Sequence, residues 1–299
     1  MLFSGWLRDL AQRLFGFCAF AGAVASTLDC SAIVDADRVQ CATDADCQNR
    51  GGEFTGSLCQ DTVCITDPTW GCVGSVVWSS PPPVPSPEKV GVKLVLSNLL
   101  TKDVVAGATA RVCGKLDPKC DSPIQSDLQS DSEGVLAVQV SKYFEGYFEI
   151  KFPNMVDTMY FFNPPVETER VVPFVPLVPF EALTVFGDQL KMMPRLDRGT
   201  VIVLSYDCQA ASAAGVELST DAADEFTVPF YMVHGFPSLE ATQTDTSGQG
   251  GIANVVAGPR LISGRRADTG EAIGAVNVQT RPIWITYTSM LPTPLSPQK

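Results

Sequence analysis

The chain has one histidine, His234, in 299 residues, and only 21 lysines and arginines against 33 acidic side chains. A single imidazole leaves no room for a histidine-rich metal centre. It also makes any base-catalysed hydrolysis depend on one residue, which stands beside a turn in Val233-His234-Gly235-Phe236, where a capping or surface role is expected. A formal net charge of −12 repels phosphate backbones and anionic headgroups, so nucleic acid is not an expected partner. The patterns G-x-S-x-G, H-E-x-x-H and the P-loop are absent. The glycines of Gly248-Gln249-Gly250-Gly251 lack the following helix of a phosphate cradle and read as a hairpin loop. No cofactor and no metal is therefore expected.

Long apolar runs are scarce too. Beyond residue 25 none reaches the ~20 residues that span a bilayer without meeting charge or proline, so no transmembrane segment is expected in the mature chain. Residues 1–25 read as a signal peptide: Arg8 and Arg13 supply the positive start, residues 14–25 are uncharged and mostly apolar, and Ala23-Val24-Ala25 invites cleavage before Ser26. The expected location is outside the cytoplasm, as an extracellular, outer-surface or periplasmic protein.

Ten cysteines are present, and Cys18 leaves with the signal. Cys30, Cys41, Cys47, Cys59, Cys64 and Cys72 crowd into a stretch poor in large apolar residues, where covalent closure replaces burial. Three bridges are expected among these six, with the pairing open. The spacing from Cys41 to Cys64 lacks the two-residue knuckle of zinc ribbons. Asp44 and Asp46 resemble the opening of a calcium loop, but the glycine and glutamate of an EF-hand are missing, so a solvated turn is expected. Cys113 and Cys120 flank a turn-rich loop that they would staple. One cysteine is then left over. Three accounts stay open: Cys208 as a buried thiol, a long-range bridge, or Cys30 as a lipid-anchored terminus, against which Asp29 stands.

At 45% hydrophobic, the chain can bury real cores, and its length suggests two domains with additions. Ser79-Ser80-Pro81-Pro82-Pro83-Val84-Pro85-Ser86-Pro87 reads as an extended spacer. Beyond it the pattern has period two: Val90, Val92, Leu94 and Leu96, then Leu136, Val138 and Val140, then Phe148, Ile150 and Phe152 against Tyr147, Glu149 and Lys151. Such alternation predicts half-buried antiparallel strands. Pro173, Pro176 and Pro179 make residues 171–180 an edge or connector. Phe180, Leu183 and Phe186 predict a short helix capped at Gly187. Strands return at residues 200–204 and 226–231, and at Ile283, Ile285 and Tyr287 against Trp284, Thr286 and Thr288. The expected plan is mainly β, two tandem antiparallel sandwiches: signal 1–25, cysteine-rich module 26–75, linker 76–88, first sandwich 89–178, helical connector 179–195, second sandwich 196–292 and tail 293–299.

The two β regions look like copies. Ala106-Gly107-Ala108-Thr109-Ala110 matches Ala214-Gly215-Val216-Glu217-Leu218, and Ser130-Asp131-Ser132-Glu133-Gly134 matches Thr244-Asp245-Thr246-Ser247-Gly248. At these residues the chain resembles the carboxypeptidase regulatory-like, transthyretin-type β-sandwich. More broadly, it is similar to bacterial secreted proteins that pair a cysteine-rich head with such sandwiches, as in Trp70-Gly71-Cys72-Val73-Gly74. The resemblance implies a scaffold or interaction module and carries no catalytic residues.

Asp221, Asp224 and Glu225 could serve as paired carboxylates, although an acidic loop accounts for them more simply. Trp78, Tyr231, Trp284 and Tyr287 are candidates for stacking on sugars if they share an exposed face. The sequence thus points to a non-catalytic exported scaffold of adhesion type, binding an extracellular protein or glycan. The alternative is a secreted carbohydrate-active hydrolase or its accessory carbohydrate-binding module.

Overall fold

The computed structural model describes residues 39–50, 57–66, 69–73, 86–189, 191, 193–233 and 235–292. The signal peptide, Cys30, most of the proline spacer, Trp78, His234 and the tail 293–299 lie outside the described residues.

The head consists of a one-turn helix α1 (Asp44–Gln48) and a hairpin of β1 (Ser57–Gln60) with β2 (Val63–Thr66), with Cys59 opposite Cys64. Disulfides Cys41–Cys59 and Cys47–Cys64 tie helix to hairpin. Asp46, the third residue of α1, reaches back to accept the Ala42 and Thr43 amides at 2.8 Å each, and these bonds lower its pKa. Asp44 accepts the Cys59 amide. The two aspartates therefore hold backbone, and the solvated turn expected there is the start of a helix.

The first β unit contains β3 (Lys89–Asn98), β4 (Thr109–Gly114), β5 (Gln125–Gln129), β6 (Val135–Ser141), β7 (Gly146–Lys151), β8 (Thr158–Phe161) and β9 (Arg170–Leu177). Helix α2 (Phe180–Gln189) follows. It runs past Gly187, which is buried within it, so this glycine does not cap the helix. The second unit contains β10 (Arg198–Ser205), β11 (Val216–Thr220), β12 (Val228–Val233), β13 (Phe236–Ser238), β14 (Gln249–Val256), β15 (Gly258–Arg266), β16 (Ala272–Thr280) and β17 (Ile285–Met290).

Both units share one wiring plan. In the first, β6-β3-β9 forms one sheet and β4-β7-β8 part of the other; in the second, β14-β10-β17 and β11-β15-β16 repeat these pairings. The two units then fuse. Strand β17 pairs in parallel with β8, Ile285 opposite Thr158 and Tyr287 opposite Tyr160, giving one nine-stranded sheet ordered β13-β12-β14-β10-β17-β8-β7-β4-β5. Most pairings are antiparallel as expected, but β3 with β9, β10 with β17 and β17 with β8 are parallel.

The small sheets cover opposite faces of this long one. Phe148, Ile150 and Tyr160 pack with Val92, Leu94 and Leu96 in a first core that also takes Ile285 and Tyr287 from the second unit. Tyr147, Met159 and Phe161 turn the other way, into a second core with Val201, Val203, Ile262 and Ile273. The expected mixed face of β7 is thus interior: Tyr147 and Glu149 are 0% and 1% exposed. Thr286 and Thr288, expected on the outer face of β17, are also buried.

A buried hydroxyl marks the same corner in each unit. Ser130 Oγ accepts the Ala108 amide at 3.0 Å and donates to the Val105 carbonyl at 2.7 Å; Thr244 Oγ1 accepts the Val216 amide and donates to the Ala213 carbonyl at the same two distances. Each replaces water for one buried N–H and one buried C=O. Ser130→Ala and Thr244→Val are each expected to cost about 1–3 kcal/mol, the penalty for orphaned buried groups. The two losses should add in the double variant, because no partner is shared. Urea unfolding of the oxidised chain measures both, and two losses below about 0.5 kcal/mol would show that the corners do not depend on these hydroxyls.

Candidate functional site: an apolar groove beneath helix α2

The face of β17-β10-β14-β12 turned away from the second core should be polar if that unit stood alone. Instead it carries Ile202, Phe230, Met232 and Ala253, which form a small cluster of their own. Gly251 makes room for it: a Cβ there would lie 2.5 Å from the Phe230 ring and 2.6 Å from the Val201 carbonyl, so only glycine lets that ring lie across the strand. Helix α2 covers part of this face with Leu183 and Phe186, and the segment carrying Pro194, Arg195 and Leu196 borders it. Between them runs a groove with a cavity volume of about 150 Å³, continuous with open solvent and bordered towards the first unit by Leu99, Pro176 and Val178. Leu196 is 75% and Phe236 62% exposed, so apolar surface continues beyond the groove.

Two guanidinium groups stand on the groove wall. Arg195 lies 4.3 Å above the Phe226 ring centre and bonds Asp197. Arg198 lies 5.2 Å from the same ring, with a side chain only 11% exposed. Its Nη1 donates to Asp224 Oδ1 at 2.8 Å and to the Asn254 carbonyl at 3.2 Å, while its buried Nε has no acceptor among the described residues. Arg198 holds the Asp224 carboxyl well below the usual carboxylate range, helped by the Phe226 amide and the Thr227 hydroxyl. A lowered folded-state pKa means that this pair's contribution is present above the unfolded value near ~4 and fades as pH falls below it.

Asp224, proposed above as half of a carboxylate pair, is thus bound to Arg198. Asp221 accepts the Leu261 amide at 3.2 Å. Among the described aromatic candidates, Trp284 and Tyr287 both border the groove, whereas Tyr231 stands apart from them. Tyr231 lies in the second core, 4% exposed, its hydroxyl accepting the Leu218 amide. Tyr287 lies in the first core, 3% exposed, donating to the Pro176 carbonyl. Burial pushes both phenols up. Trp284 is half-buried, with Lys151 at 4.8 Å and Arg281 at 4.7 Å from its ring centre.

A second constellation, unforeseen in the sequence, sits where the units meet. Glu149 on β7 is held by Arg111 of β4 and by Arg281, which follows β16. Arg281 also reaches the Pro118 carbonyl at 2.8 Å, inside the loop stapled by Cys113–Cys120, and Tyr147 donates to the Asp117 carbonyl of that loop. Burial pushes the Tyr147 phenol up to about 12. Alternation along β7 placed Glu149 outward, and no local signal marks an acid that the neighbouring unit covers.

The six crowded cysteines do not supply three internal bridges. Cys72 pairs instead with Cys208, 136 residues away, and the Cys208 amide donates to the Thr69 carbonyl, so the head is fixed to the second unit. In the two clusters with metal-like spacing, Cys41, Cys47 and Cys64, and Cys113 and Cys120 with Glu149, every sulfur is engaged in a bridge. No helix among the described residues is long and apolar enough to cross a membrane.

No family model and no curated protein matches the chain. Among solved structures it is similar to the Bacillus anthracis TIE protein, 9% identical over 69% of this chain and 34% of that one, with a TM-score of 0.24. It is also similar to BcpA, the major pilin subunit of Bacillus cereus, 13% identical over 65% and 68% at a TM-score of 0.23. The shaft pilin SpaA from Lactobacillus rhamnosus GG is 10% identical over 70% and 100% at 0.22. The chain spans about a third of the TIE protein's length. At such scores the likeness says nothing about what this chain binds, and its fold is defined by the strand pairings above.

Proposed function

We propose that this chain is a non-catalytic exported protein of the cell surface or periplasm, in which two transthyretin-type sandwiches act as a rigid scaffold for contact with another extracellular protein. One observation carries the reading: a nine-stranded sheet runs through both units and is covered from opposite sides, so they bend as one body. Rigid spacing suits presentation of a surface, whereas the carboxylates a hydrolase would need are bound up with Arg198 and the Leu261 amide. The glycan-binding alternative loses its stacking platform with Tyr231 and Tyr287 inside the cores. Export through cleavage before Ser26 belongs to the same reading.

Producing the full chain in a bacterium with an outer membrane, then fractionating the cells, tests this reading. The expected product begins at Ser26, leaves the cytoplasm, has its cysteines oxidised and retains no glycan on an array. Reduced cytoplasmic protein, or saturable glycan binding with release of sugar, would overturn the proposal.

A further inference from the structure

We infer that the groove beneath α2 is a binding site for a free fatty acid, the hydrocarbon chain lying on the outer face of the second unit and the carboxylate meeting Arg198. This goes beyond the scaffold reading and does not depend on it. Three features converge on this chemistry. First, the floor formed by Ile202, Phe230, Met232 and Ala253 is apolar where an unpartnered sheet face would be polar, and Leu183 and Phe186 roof it incompletely. Its extent across β17, β10, β14 and β12 is roughly 14 Å at the usual strand spacing, a span suited to one dodecyl chain.

Second, Arg198 lines this groove, and its bonds to Asp224 and the Asn254 carbonyl both leave from Nη1. A carboxylate held at the accessible edge of that guanidinium would form a charge-assisted bond. Third, in a chain of net charge −12, the ionised side chains that line the groove among the described residues are two cations, Arg195 and Arg198. Asp224 and Asp197 each occupy one side of a guanidinium and leave other N–H groups for a ligand. A cationic amphiphile would find the same apolar floor but meet two guanidinium groups.

The test is calorimetric titration of the full oxidised chain with sodium dodecanoate and, separately, with dodecyltrimethylammonium, both below micelle formation. Saturable one-to-one binding of dodecanoate is expected, with the cation at least roughly tenfold weaker, a difference of about 1.4 kcal/mol. Thr200→Trp, which fills the groove from β10 and leaves the Arg198–Asp224 pair in place, should abolish binding. Arg198→Met should weaken dodecanoate by roughly tenfold and leave the cation unchanged or tighter. Circular dichroism shows whether each variant folds, and T200W keeps the test readable if R198M does not. Equal affinity for the two amphiphiles, binding untouched by T200W, or no saturable heat with dodecanoate would each overturn the assignment.

Discussion

Glu149→Ala is expected to destabilise the folded chain by about 3–5 kcal/mol, the cost of breaking a buried charge pair from one side. The Glu149 side chain is 1% exposed and meets two arginines, one on its own sheet and one from the second unit. Without it, Arg281, whose side chain is 18% exposed, keeps only neutral oxygen partners. At roughly 2–4 °C per kcal/mol for a folded body of this size, the melting temperature should fall by about 10 °C. Because Arg281 arrives from beyond β16, the loss should lower the unfolding of both units together. Arg281→Ala combined with Glu149→Ala should cost less than the sum of the single changes, since each removes the same pair. Denaturant titrations of the four proteins settle this, and a single-variant loss below about 1 kcal/mol would show that the cluster is not a structural tie.

Gly248→Ala should be comparably damaging, at about 2–5 kcal/mol. Gly248 has φ +67°, and an added Cβ would lie 2.4 Å from the Ser205 carbonyl and 2.9 Å from the Ala213 amide nitrogen. A left-handed alanine costs about 1–2 kcal/mol by itself, and forcing apart a packed corner adds about 1–3. The repeat supplies its own controls. Gly134 has φ +74° and a Cβ there would sit 2.7 Å from the Leu96 carbonyl, so Gly134→Ala should behave like Gly248→Ala. Gly107 and Gly215 have φ +78° and +82° with no atom within 4 Å, so alanine there should cost only the backbone term. Thermal melts showing all four alanines equal would mean that crowding plays no part.

The readable part of this fold is what one strand does alone. Val92, Leu94 and Leu96 alternate because the other face of β3 is partly open, and that periodicity survives folding. Gly107 with Gly215 and Gly134 with Gly248 are legible for the same local reason, since each stands at a turn with positive φ. Tyr147 and Glu149 were misplaced because alternation reports a strand's own two faces and cannot show a second sandwich lying over one of them. A warning was present in Val201-Ile202-Val203-Leu204, an unbroken apolar run of the kind that strands covered on both sides display. That run contains the groove's floor residue Ile202, so it was the one sequence feature that could have located the site. The cysteines failed differently: crowding identifies a disulfide framework, but pairing is decided by which segments the fold brings together, and Trp70 packs on the second core beside Arg266.

The bond between Cys72 and Cys208 closes the backbone into a ring with two branches, the head on one side and β11 to β17 on the other. Tension applied between the head and the last strand crosses from Cys72 directly to Cys208 and leaves at Met290, whose carbonyl already accepts the Tyr206 amide at 2.8 Å. The entire first sandwich and helix α2 hang within the slack of that ring. A pull on the second unit therefore has no covalent path through the first and reaches it only through contacts such as the β17–β8 pairing, until a reductant opens the ring and puts the two in series.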